Sequence, residues 1–171
     1  MLQLYEFFRK FFNINMNEYN FLNEFKKEFY TKEVDRKHSY NQGRDHPYII
    51  KIGCNNVGCI ALKGFDNYET PSVRIVYLFI YEQNAGVGSL ILGKLCALAD
   101  KYGVILELDA IPQKLTKDSI SREKLVSWYQ SYGFSLEIEG EYLMRRKFKP
   151  NKPNRFFTPN VGQQFYRCPT F

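Results

Sequence analysis

The sequence predicts a mixed α/β (α+β) domain whose sheet contains at least one parallel pair. Three observations predict it. A nearly continuous apolar run, Val73 to Tyr81 (VRIVYLFIY), has the length and β-branched content of a buried strand. It ends in the small-residue turn Gln83-Asn84-Ala85-Gly86-Val87-Gly88-Ser89, which opens a helix-like run, Ser89 to Tyr102. A second strand, Val104 to Ala110 (VILELDA), follows at once. Strand, helix and strand at this spacing form a right-handed crossover between two parallel strands.

Leu4, Phe7, Phe8, Phe11 and Phe12 share a helical stripe over residues 1–12, which Asn13, Ile14 and Asn15 are expected to break. A second helix is expected from Asn17, with Phe21, Leu22, Phe25 and Phe29 facing the core. Thr31 to Pro47 is polar, carries both histidines, His38 and His46, and reads as a loop or short helical turns, with a mobile loop bordering a substrate pocket as its functional reading. The two histidines are not at a ligand spacing on a rigid element, so no metal is expected there.

Tyr48 to Phe65 reads as two strands joined around Asn55-Asn56, since asparagine tolerates positive φ. Phe65 to Ser72 connects to the strand at 73–81, which is expected to be buried on both faces. In the helix after the glycine turn, Ile91, Leu95, Leu98 and Tyr102 fall on one face, and Gly103 suits a left-handed C-terminal cap. Within Val104 to Ala110, strand alternation puts Glu107 and Asp109 on one face and Leu106 and Leu108 on the other.

Ser121 is a helix N-cap, and Leu125, Trp128, Tyr129 and Tyr132 line one face of the helix that Gly133 ends. Phe134 to Ile138 and Glu141 to Phe148 are two further strands joined near Glu139-Gly140. Beyond Lys149, Pro150, Pro153, Pro159 and Pro169 oppose regular structure, while five aromatic residues oppose a free linker.

Composition bounds the function classes. The 171 residues, 44% hydrophobic and 17% aromatic, suffice for one well-packed domain, read here as residues 1–148 with a variable helical part at 1–47 and a core at 48–148. No apolar run approaches the roughly 20 residues that span a bilayer, so no membrane partner is expected. The four cysteines, Cys54, Cys59, Cys96 and Cys168, form no Cys-x-x-Cys pair and read as reduced thiols of a cytoplasmic protein. The net charge is +6, yet Arg145, Arg146, Lys147, Lys149, Lys152, Arg155 and Arg167 face no acidic residue in 145–171. The body is near neutral and the tail, 149–171, is basic. That tail is either a contact for RNA, protein or another polyanion, or a solvated extension.

The glycine turn gathers backbone N–H groups at the positive end of a helix dipole, which suits a phosphate. Alone it fits many nucleotides. The Gln-x-x-Gly-x-Gly turn at 83–88, the helix and strand after it, and Trp128-Tyr129-Gln130-Ser131-Tyr132-Gly133-Phe134 come in an order that resembles the GCN5-related N-acetyltransferase (GNAT) superfamily. The resemblance covers residues 73–148, with the 48–65 hairpin consistent with it.

The resemblance implies a mixed, centrally splayed β-sheet flanked by helices, and acetyl-CoA as co-substrate. Gln83, Asn84, Ala85, Gly86, Val87, Gly88 and Ser89 would hold its pyrophosphate, and the exposed backbone of Leu78, Phe79 and Ile80 its pantetheine arm. Tyr129 would be the general acid for the departing thiolate; otherwise its ring packs on the helix face with a free hydroxyl. Arg74 stands where some members carry a glutamate base, and Arg122 where an asparagine is common. Arg122 or Lys124 could meet a CoA phosphate. Candidate bases are Glu82, Glu107 and Asp109, the last nearest the strand's C-terminal end.

The expected function is an acetyl-CoA-dependent N-acetyltransferase acting on a small amine, a protein or an aminoacyl-RNA, with a homodimer as one possible state. A GNAT-fold protein that binds CoA or a partner without chemistry is the alternative, and nucleic-acid binding through the tail a third.

Overall fold

The computed structural model describes residues 2–65, 70–82, 85–112, 120–138 and 140–149, with side chains from residue 16 onward. The tail at 150–171 and the loop at 113–119 lie outside the described residues. The elements are α1 (Leu2–Phe29), β1 (Tyr30–Val34), β2 (Tyr48–Ile52), β3 (Asn55–Phe65), β4 (Ser72–Ile80), α2 (Val87–Tyr102), β5 (Ile105–Asp109), α3 (Arg122–Ser131), β6 (Ser135–Leu136) and β7 (Leu143–Arg146). The strands form one seven-stranded sheet in the order β1-β2-β3-β4-β5-β7-β6. Every adjacent pair is antiparallel except β4 and β5 at the centre, which the α2 crossover makes parallel. The mixed, helix-flanked sheet that the sequence predicted is the one observed.

Four local expectations are corrected. The N-terminal segment is one helix of 28 residues, not two. Asn13 and Asn15 cost a helix well under about 1 kcal/mol each, and no glycine or proline interrupts residues 2–29. The polar segment begins with a strand, β1, pairing Tyr30 with Ile50 and Val34 with Tyr48. The Tyr30 ring stacks on Tyr48 at 5.2 Å and meets Phe25 edge-on at 5.7 Å, which fixes this edge strand. The β2–β3 hairpin turns at Gly53-Cys54, with Gly53 at φ 61°, while Asn55 and Asn56 pair within the ladder. Glycine takes positive φ without the Cβ clash that asparagine still bears. Finally, β4 is buried only over its first half: Ser72, Val73 and Ile75 are buried, whereas Val76 is exposed and Tyr77 to Ile80 are half-buried.

Phe21, Phe25 and Phe29 of α1 join Ile91, Leu92, Leu95, Leu98 and Ala99 of α2, and Ile50, Ile60, Val73, Leu106, Leu108 and Met144 of the sheet, in one core. Ion pairs Lys94–Glu28 at 2.6 Å and Lys101–Glu24 at 2.5 Å tie α2 to α1. Gly103 at φ 64° caps α2, its N–H bonding to the Ala99 carbonyl. Ser121 caps α3 by accepting from the Lys124 N–H at 3.4 Å. Behind the core, the buried Arg146 guanidinium donates to both Asp100 oxygens at 2.9 and 2.7 Å, and its Nε donates to the Tyr132 carbonyl. β7, α2 and the end of α3 are locked together by this one side chain.

Cys59 and Cys96 are free and buried. Cys54, at the hairpin tip, is disulfide-bonded, contrary to the expectation of reduced thiols. Among the described residues, no helix is long and apolar enough to cross a membrane.

Gly58 shows how closely β3 and β4 approach. A Cβ added there would lie 2.3 Å from the Phe79 carbonyl oxygen. Gly58→Ala is therefore expected to push the strands apart and lower unfolding free energy by about 1–3 kcal/mol, read from urea denaturation.

Candidate active site in the central cleft

The sheet opens where its one parallel pair ends. β4 and β5 pair from Ser72↔Ile105 to Ile75↔Leu108. β5 stops at Asp109, but β4 runs on to Ile80, still paired with β3 through Ile80↔Gly58. At the parting point the β3–β4 register shifts: Leu62 pairs with Ile75 and Ala61 with Tyr77, so Val76 is an extra, bulged residue. Beyond it, the β5-facing edge of β4 has no strand partner among the described residues.

A cavity of about 470 Å³ fills that opening. Leu78, Phe79 and Ile80 form one wall, Leu108 and Asp109 another, and Leu125, Trp128 and Tyr129 of α3 a third. Its far end is the start of α2, where Gly86, Val87, Gly88 and Ser89 line the cavity. Gly86 sits at φ 75°, ψ −5° with no side chain capping the helix. The first-turn N–H groups therefore have no intrahelical acceptor and remain available to an anion. Ile80 and the Trp128 ring lie in ordinary contact range of a Cβ built on Gly88, so any side chain there would fill space beside the turn. The Trp128 indole N–H donates to Ser89 Oγ at 3.4 Å and the Tyr132 hydroxyl to the Ser89 carbonyl at 3.3 Å, joining α3 to the turn.

Tyr129 is the buried residue of this wall, 8% exposed, its ring 4.9 Å from Trp128 and 5.8 Å from Phe134. Among the described residues no group hydrogen-bonds its hydroxyl. Burial pushes the phenol up to about 12, so it stays protonated at neutral pH and can serve as a proton donor but not as a base.

The structure thus gathers Leu78, Phe79, Ile80, Gly86, Val87, Gly88, Ser89, Asp109 and Tyr129 around one cavity, with Glu82 at its rim. Ala85 is exposed beside the turn, and Gln83 and Asn84 lie outside the described residues. Asp109 accepts from Arg74 at 2.5 Å, so its charge is already paired. Glu107 is held away from the cavity by Arg145, at 2.8 and 3.0 Å. Arg122 donates to the Gly140 and Glu141 carbonyls and lies 4.3 Å over the Tyr142 ring, which fastens α3 to the β6–β7 turn. Lys124 is exposed and does not line the cavity.

Sequence reasoning missed two features. The Val76 bulge has no residue signature, because valine fits a regular strand equally well. The Arg74–Asp109 pair joins residues 35 apart and becomes visible only once β4 and β5 are known to be parallel.

No family model matches the chain. No curated protein matches it either. Among solved structures, the crystal structure of the anti-CRISPR protein AcrVA5 is 28% identical over 52% of this chain and 88% of that one, with a TM-score of 0.42. Arabidopsis thaliana Naa50 in complex with the bisubstrate analogue CoA-Ac-MVNAL is 16% identical over 74% of this chain and 90% of that one, with a TM-score of 0.43. With TM-scores below 0.5, neither alignment bears on the chemistry of this chain.

Proposed function

We propose that the chain is an acetyl-CoA-dependent N-acetyltransferase. One observation carries the reading: the open edge of β4, the uncapped start of α2 and the buried phenol of Tyr129 share a single cavity. An elongated thioester with an anionic end needs those three things in that order. The N–H groups at Gly86 to Ser89 bind the pyrophosphate. The unpaired backbone from Val76 to Ile80 takes the pantetheine amides as a further strand would. The acetyl group then lies near the bulge, between β4 and β5.

The acceptor nitrogen attacks the thioester carbon, and the carbonyl π pair moves to oxygen, where a backbone N–H of β4 stabilises it. Collapse expels the CoA thiolate, which takes the Tyr129 proton. The acceptor nitrogen must lose one proton. Glu82 at the rim is the candidate that carries no ion-pair partner among the described residues; Asp109 acts only if Arg74 releases it, and Glu107 only by leaving Arg145. Arg122 and Lys124 are proposed as contacts to the distal CoA phosphate, and the basic tail as a contact for a macromolecular acceptor such as protein or RNA.

Calorimetric titration with acetyl-CoA, followed by thiol-release assays over a panel of amines, tests the reading. Binding together with amine-dependent CoA release supports it, and absence of acetyl-CoA binding at millimolar concentration removes it. The tie between Arg74 and Asp109 favours a second reading, a binding protein without turnover. Tight acetyl-CoA binding with no release on any amine would select it.

Gly86→Ala tests the turn separately. A Cβ at φ 75° costs about 1–2 kcal/mol. Misaligning one N–H that meets a phosphate costs about as much again. Acetyl-CoA affinity is expected to fall about tenfold, with the amine KM unchanged.

A further inference from the structure

A second constellation lies on the far side of β4 from α2 and α3. Alternate residues of that strand face opposite ways: Ile80 lies beside Gly88 and Trp128, whereas Phe79 and Tyr81 face the segment after β1. There Asp35, His38 and Cys59 converge, one ligand-capable atom of each within 4.8 Å of the other two. Asp35 and Cys59 are buried and His38 is half-buried. His38 Nδ1 stands 2.9 Å from Asp35 Oδ2. Two atoms bound at about 2.0–2.1 Å to one tetrahedral zinc ion are about 3.3 Å apart, so this pair is close to a chelating geometry.

The surroundings already orient these groups. The Tyr81 hydroxyl donates to Asp35 Oδ2 at 2.5 Å and the Lys37 N–H to Oδ1 at 2.9 Å. Bonds of this kind hold a ligating carboxylate in place. The His38 ring lies 4.4 Å from Phe79, and its carbonyl accepts from His46 Nδ1 at 2.7 Å. Cys59 is on the rigid strand β3, paired with Phe79. A cavity of about 480 Å³, lined by Asp35, Lys37, His38 and Tyr81, gives solvent access to the carboxylate and imidazole and room for a fourth ligand, while Cys59 is fully buried. The two-histidine pattern in the sequence concealed this site, because the sulfur comes from a different strand and His46 takes no part.

We propose that Asp35, His38 and Cys59 bind one divalent transition-metal ion of the zinc class through a carboxylate oxygen, an imidazole nitrogen and a thiolate sulfur, with water completing a tetrahedron. Binding replaces the thiol proton: the S–H bond breaks, the sulfur–metal bond forms, and one proton passes to solvent. The mixed oxygen, nitrogen and sulfur set suits zinc and disfavours magnesium and calcium, which take oxygen alone. An ion here fastens the segment after β1 to β3 and, through Tyr81 and Phe79, to the strand lining the cleft.

The test is a titration of the full chain, first stripped with chelator, with cobalt(II). The expected result is one equivalent bound, with thiolate-to-cobalt charge-transfer absorption in the near ultraviolet and visible bands of tetrahedral intensity, both abolished by one equivalent of zinc. His38→Gln is expected to lower affinity at least about 100-fold, a direct ligand mattering no less than an outer-shell partner. Cys59→Ala is expected to remove the charge-transfer band. Because Cys59 is in the core and that variant risks misfolding, His38→Gln decides the matter alone if needed. Absence of the thiolate band, or affinity unchanged in His38→Gln, overturns the proposal and leaves a purely hydrogen-bonded cluster.

Discussion

Tyr129→Phe is expected to lower the rate of acetyl transfer about 100-fold, the low end of what a positioned proton donor contributes, while acetyl-CoA affinity stays unchanged. The separation is expected because the ring and the hydroxyl do different work. The ring packs against Trp128 and Phe134 in the wall of the cleft, and phenylalanine keeps those contacts. The hydroxyl has no partner among the described residues, so its loss leaves no orphaned group and little folding cost. Pre-steady-state measurement of CoA release against acetyl-CoA concentration separates the two parameters. An unchanged turnover rate removes Tyr129 as the acid; weakened binding with unchanged turnover reassigns it to the cofactor wall. Since burial holds the phenol near 12, deprotonation of Tyr129 is not expected to limit the rate on the alkaline side below that pH.

Arg146→Met is expected to destabilise the fold by about 1–3 kcal/mol, the cost of taking a charged hydrogen-bond partner from the half-buried Asp100. Arg146 is 3% exposed and bonds both oxygens of Asp100, which also accepts from the Lys149 N–H at 2.6 Å. A thermal melt should fall by about 5 °C for a chain of this size. A fall within about 1 °C would show that the pair stabilises little. The same carboxylate sets an acid limit. Burial alone would raise Asp100, but the Arg146 and Lys149 donors outweigh it and hold it below the usual carboxylate range. Its contribution to stability is then complete above its unfolded value of about 3.9 and is lost as pH falls from there through the folded value. Asp100→Asn should flatten stability against pH in that acid window and leave the slope between pH 5 and 8 unaltered.

The parts of the fold written in the sequence are those governed by local rules. The apolar run at 73–81, the glycine turn and the 3.6-residue repeat of Ile91, Leu95 and Leu98 located β4, α2 and the crossover, and Gly103 and Ser121 marked helix ends as expected. The errors arose where weak local preferences compete. Asn13 and Asn15 disfavour a helix too slightly to stop one, and Tyr30 to Val34 becomes a strand only because Tyr48 and Phe25 are there to pack on. The site was legible in residue identity and less so in charge. Glu107 and Asp109 share a strand face as alternation demands, yet which of them meets the cleft depends on Arg145 and Arg74, distant in sequence. Arg122, exposed by its sequence position, is engaged by carbonyls of a turn that no spacing rule connects to it.

The bulge at Val76 also fixes the phase of everything after it. In an uninterrupted strand, Arg74 and Tyr77 would point to opposite faces; the extra residue puts them on the same one, with Phe79 following Tyr77 and with Leu78 and Ile80 turned toward the helices. Deleting Val76 would remove the bulge and leave that order intact, whereas drawing Val76 into a regular ladder would invert it, carrying the aromatic rings of Tyr77 and Phe79 into the α2 side and turning Leu78 and Ile80 out of it. The bulge thus acts as a parity bit for the strand: by absorbing one valine, it decides which row of side chains is cleft and which is back wall.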